Sequence, residues 1–78
     1  MKKLKKHLTK NNYEYIISKD EIHVFTNDLI VKIWKLNQEY AMLTFDNQEA
    51  ASMDDFTEVY YKNNVEKTIK QLNKLVAQ

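Results

Sequence analysis

Apolar and polar positions change rhythm twice along this chain of 78 residues. In residues 2–10, Leu4 and Leu8 stand four apart with lysines around them, which is one apolar face of a short helix. Asn11 and Asn12 follow, and Asn tolerates the left-handed conformation that commonly ends helices. From Tyr13 to Phe45 the period becomes two. It predicts strands over Tyr13–Ser18, Glu21–Thr26, Leu29–Leu36 and Glu39–Phe45, rich in β-branched and aromatic residues. The polar pairs Lys19-Asp20, Asn27-Asp28 and Asn37-Gln38 separate them as two-residue hairpin turns.

Turns of that length set a register. It pairs Tyr15 with Val24, Ile17 with Ile22, Val24 with Val31, Ile22 with Ile33, Ile33 with Met42 and Lys35 with Tyr40. Paired residues share a side of the sheet, so one face collects Tyr13, Tyr15, Ile17, Ile22, Val24, Leu29, Val31, Ile33, Tyr40 and Met42. Only Thr26, Lys35 and Thr44 interrupt it, and a slip of one residue in any strand would destroy the agreement. The other face is polar in part at its outer strands but carries Phe25, Ile30, Trp34, Leu43 and Phe45 at its centre.

The tail returns to helical spacing. Val65, Ile69, Leu72 and Val76 share a face, with Leu75 beside them, and Asn63 with Glu66 forms a capping-box pattern that predicts the helix start. Residues 53–61 carry two patterns. Ser52 with Asp55, and Met53, Phe56, Val59 and Tyr60, suit a short helix, whereas Phe56–Tyr61 is also rich in strand formers; the spacing leans to helix. Residues 46–52 read as a loop. The expected architecture is a single α+β domain: a short N-terminal helix, a four-stranded antiparallel β-meander, and one or two C-terminal helices packed on one sheet face.

Composition narrows the chemistry. The chain has no Gly, Pro or Cys. That excludes a disulfide framework, thiolate metal sites, glycine-rich phosphate loops, dinucleotide fingerprints and nucleophile elbows. His7 and His23 are the only histidines, and neither stands in a ligand-spaced group. Asp54 and Asp55 are better explained by favourable charge at a helix start than by catalysis, and Ser18 and Ser52 lack a triad-like neighbourhood. No enzyme activity, cofactor, metal or small-molecule substrate is expected.

Twelve Lys face eleven acids, for a net charge of +1, and there is no Arg, the usual reader of guanine edges. The charges are uneven. Lys2, Lys3, Lys5, Lys6 and Lys10 crowd the first helix, while Asp46, Glu49, Asp54, Asp55 and Glu58 form an acidic stretch. No apolar run approaches the roughly 20 residues of a membrane span. A cytoplasmic protein without a membrane partner is expected, and heavy use of Lys, Asn, Ile and Tyr hints at an AT-rich bacterial or phage origin.

A sheet covered on one face needs a polar outer face, and this one is not polar enough. Residues 53–61 folding over it would answer the mismatch. A protein interface built on Phe25, Ile30, Lys32, Trp34, Leu43 and Phe45 answers it better, because aromatic anchors in a mixed patch match interface centres. The sequence thus points to a non-enzymatic protein-interaction module acting by homodimerisation or by binding a host protein. The alternatives are single-stranded nucleic-acid binding, with aromatics stacking bases and Lys32 and Lys35 on phosphate, and an inhibitor that mimics nucleic acid through its acidic stretch.

Overall fold

The structure is a computed structural model and describes residues 1–26, 29–46 and 58–77. Helix α1 (Lys2–Lys10) leads into strands β1 (Glu14–Ser18), β2 (Glu21–Phe25), β3 (Leu29–Leu36), β4 (Glu39–Asp46) and β5 (Glu58–Lys62), and helix α2 (Val65–Val76) ends the chain. The strands form one antiparallel sheet in sequential order, β1 to β5.

The expected α+β class holds, and so does every pairing read from the turns: Tyr15 with Val24, Ile17 with Ile22, Val24 with Val31, Ile22 with Ile33, Ile33 with Met42, and Lys35 with Tyr40. Lys19 and Asn37, each first in its two-residue turn, take φ of 56° and 48°, the left-handed region that tight hairpins use to match strand twist. Asn27 and Asp28 lie outside the described residues, but the bond from Thr26 N to Leu29 O at 2.8 Å brackets them.

Among the described residues the strand count is five rather than the expected four. Residues 58–62 are a strand, not part of a helix, while Ser52, Met53, Asp55 and Phe56 lie outside the described residues. Helical and strand patterns both fit that stretch locally. What decides is β4, whose second edge would otherwise be open: Tyr60 pairs with Met42 and joins the core side, and Val59 and Tyr61 pair with Leu43 and Ala41 on the other face. The helix start also moves by one residue. Asn64, not Asn63, is the N-cap; its side chain accepts the Lys67 N–H at 2.8 Å, which leaves Glu66 free to pair with Lys3 of α1.

Both helices cover the same face. Leu4 and Leu8 of α1 and Leu72 and Leu75 of α2 pack on Ile22, Val24, Val31, Ile33 and Met42, and all nine are buried. The end of α1 is a Schellman motif. Tyr13 N donates to Leu8 O and Asn12 N to Thr9 O, with Asn12 at φ 59° and Tyr13 packed on the core. Lys3 meets Glu66 near the start of α2, and His7 and Tyr13 meet Asn73 near its end, so the two helices run side by side in the same direction.

Candidate interaction surface

The pairing that turns Ile22, Val24 and Ile33 inward turns their neighbours outward. On the outer face the residues fall into cross-strand rows. Glu14, Phe25, Ile30 and Phe45 form one, Ile16, His23, Lys32, Leu43 and Val59 the next, and Ser18, Glu21, Trp34, Ala41 and Tyr61 the third. The six patch residues marked by the sequence, Phe25, Ile30, Lys32, Trp34, Leu43 and Phe45, are therefore neighbours on β2, β3 and β4.

Their exposures differ. Ile30 and Phe45 are buried, at 6% and 2%, while Phe25, Lys32, Trp34 and Leu43 are half-buried. The most exposed apolar side chains of this face stand around them: Ile16 on β1, Leu36 at the end of β3, and Val59 and Tyr61 on β5. Alternation along β1 and β3 puts Ile16 and Leu36 on this face, although neither was among the patch residues the sequence marked. Sequence reasoning missed Val59 and Tyr61 because it did not place them on a strand; the run of strand formers was the signal. Of the acidic stretch, Asp46 ends β4 and Glu58 begins β5, and Glu49, Asp54 and Asp55 lie outside the described residues.

A charged cluster sits in the middle of the face. Glu21 Oε1 is 3.2 Å from His23 Nε2, and Lys32 Nζ donates to Glu21 Oε2 at 3.1 Å. The same ammonium stands 5.7 Å from the centre of the Trp34 ring. Burial alone would push the Glu21 carboxyl up. The hydrogen bonds and positive charge of His23 and Lys32 outweigh it and hold the group below its usual range. Lys32 is thereby engaged within the sheet. Two open clefts of about 480 and 430 Å³ flank the Lys19-Asp20 turn, lined by side chains of both charges. Among the described residues no group of three His, Cys, Asp or Glu is arranged to hold a metal, and no helix is long and apolar enough to cross a membrane.

The outer edge of β1 adjoins this face. Thr26 N bonds to Leu29 O, so Thr26, Val24 and Ile22 turn their backbone groups to β3, and Phe25, His23 and Glu21 turn theirs to β1. By the same alternation Glu14, Ile16 and Ser18 bond to β2, and Tyr15 and Ile17 aim N–H and C=O away from the sheet. Tyr13, two residues earlier, aims the same way and is taken up by Leu8 O of α1. Ile16 and Ile17 are both 51% exposed, and β1 carries no Lys, Pro or bulge of the kind that protects edges. Compared with protein-family models, curated proteins and solved structures, the chain matches none.

Proposed function

We propose that this chain is a non-enzymatic interaction module that docks its outer sheet face and the adjoining β1 edge against protein, with a second copy of itself as the partner the edge fits. One observation carries this. Of the five exposed large hydrophobics among the described residues, Ile16, Leu36, Val59 and Tyr61 lie on the outer face, and the fifth, Ile17, pairs with Ile22 on the helix side at the same β1 edge. Apolar exposure collected on one side of a small protein is the mark of an association surface.

The edge supports self-pairing in one register. Placed antiparallel to a second β1 with Ile16 on the two-fold axis, Tyr15 of each copy stands opposite Ile17 of the other. Those are the residues whose backbone groups face outward, so four hydrogen bonds form. Glu14 then faces Ser18, and no like charges stand opposite each other. The outer faces of the two copies become continuous across the pair, and the Glu21–His23–Lys32 cluster supplies fixed charge that orients docking.

Sedimentation equilibrium at tens of micromolar tests the reading. The expected result is a dimer that Ile16→Lys dissociates while circular dichroism shows the fold retained. A monomer at every concentration removes the second copy as partner, and dissociation by Trp34→Glu with Ile16→Lys silent moves the contact from the edge to the face.

A further inference from the structure

The net charge of +1 conceals a strong separation. The two helices carry eight of the twelve lysines against one acid, Glu66, a net +7; all other residues carry four lysines against ten acids, a net −6. Folding lays α1 and α2 side by side, with Leu4, Leu8, Leu72 and Leu75 turned into the core. Helical geometry then puts the lysines on the side away from the sheet. Lys2, Lys6 and Lys10 recur one turn apart along α1, and Lys67, Lys70 and Lys74 along α2, all of them exposed. Glu66 lies at the seam between the helices and is paired with Lys3. Nothing about the sheet requires this arrangement, and close like charges oppose it.

We infer that the helical layer is a binding surface for the phosphate backbone of double-stranded nucleic acid, separate from the sheet face used for protein contact. Each alternative occupant lacks something this surface would have to supply. A protein interface centres on desolvated aromatic, apolar or Arg anchors and is depleted in Lys, whereas this surface is a lysine field with its leucines turned inward. An anionic membrane would take up an amphipathic helix by its apolar side, which here is the core. Single strands need aromatic platforms for unpaired bases; Tyr13, the aromatic at this seam, is half-buried with its hydroxyl bonded to Asn73. A duplex presents a regular polyanion with its bases already stacked, and affinity then comes from release of condensed counterions by lysines alone.

Dimensions agree. Adjacent helices pack about 8–10 Å apart, between the minor- and major-groove widths of about 6 Å and 12 Å, a span over which long lysine side chains on the two helices can reach phosphates of both strands. Without Arg, bidentate reading of guanine is missing, so binding is independent of sequence. Glu14, Glu21 and Glu39, on the outer face of the sheet, orient it, turning the helical layer toward the polyanion and the sheet face away.

Fluorescence anisotropy with a labelled 20-base-pair duplex of arbitrary sequence tests this. Binding is expected at 50 mM salt and should weaken on the order of a hundredfold at 200 mM, as four or so phosphate contacts require. Lys6→Gln with Lys70→Gln should weaken binding at least tenfold at 50 mM salt and lower the salt slope by about two. Trp34→Glu and Ile16→Lys should leave it unchanged, which keeps this result separate from that for protein docking. No binding at 50 mM salt with 100 µM protein would sink the proposal. So would tighter binding of a single strand, poly-glutamate competing as well as duplex at equal charge, or binding only to vesicles containing phosphatidylserine.

Discussion

The inner and outer faces of the sheet come from the same strands in the same register, yet they are finished differently. On the inner face Ile22, Val24, Val31, Ile33 and Met42 are fully buried, covered by leucines from the two helices, with no charged group among them. On the outer face the same strands put Glu21, His23 and Lys32 beside Trp34 at the centre and leave Ile16, Leu36, Val59 and Tyr61 open. The nine-residue core cluster lies on the face the helices close, and on the other face Ile30, Ala41 and Phe45 are buried as well. The other face satisfies its charges internally, so it stands in water without penalty and still offers apolar surface to a partner. Among the described residues every buried side-chain polar atom has a hydrogen-bond partner, which is what lets one sheet hold both finishes.

The widest gap between the faces should appear on truncation of neighbouring residues of β3. Ile33→Ala empties a fully buried site and should cost about 2–5 kcal/mol, enough to unfold much of a protein this small. Leu36→Ala, three positions on and 41% exposed, should cost less than about 1 kcal/mol. Urea denaturation of both variants checks this, and equal losses would mean that the outer face is also core.

A smaller effect is expected where α1 is joined to the sheet. Asn12 holds φ 59° at the closing motif of α1, and Asn12→Ala should destabilise by about 1 kcal/mol, since alanine resists that conformation. Lys19 sits at φ 56° in the β1–β2 turn without the local hydrogen bonding that eases Asn into it. Lys19→Asn should therefore stabilise by roughly 0.5–1 kcal/mol, with no change in the inner core. Thermal midpoints that move in the same direction for both variants would contradict this account of the two positions.

The register was legible because tight turns leave no slack. Once Lys19-Asp20 and Asn37-Gln38 are turns, the facing of Val24, Val31, Ile33 and Met42 follows from alternation. β5 was not legible, because Val59 and Tyr60 share a helical face with Met53 and Phe56 and the spacing leans to helix, although the run to Tyr61 is also rich in strand formers; the open edge of β4 is tertiary information. The Asn64 cap was displaced to Asn63 for a related reason: Glu66 completes a box on paper but finds Lys3, 63 residues away, in the folded chain. Alternation placed Ile30 and Phe45 on the outer face, yet parity does not report burial, so their low exposure was invisible. The charge separation was hidden as well. Lysines 2–10 stood out as a cluster, but Lys67, Lys70 and Lys74 joined them only when the helices packed side by side.

The smallest effect concerns the outer face's charged cluster, and it turns on sign. Glu21 is held below the ordinary Glu value of 4.5 by His23 and Lys32, against the opposing push of burial. A carboxylate whose folded pKa is depressed stabilises the folded state above its unfolded pKa, and that contribution is lost as pH falls through the folded value. Urea midpoints of the protein and of Glu21→Gln should therefore differ at pH 5 and converge as pH falls below about 4.5. The gap should be small beside the loss from Ile33→Ala, because the Glu21 side chain keeps 32% of its exposure and water screens the pair. Lys32→Met should shrink the convergence further, since it removes one of the two partners that depress the carboxyl. A gap that stays constant into acid, or widens there, would show that Glu21 gains nothing from its neighbours. The outer face would then differ from the inner one in apolar exposure alone, with no fixed charge to orient a partner.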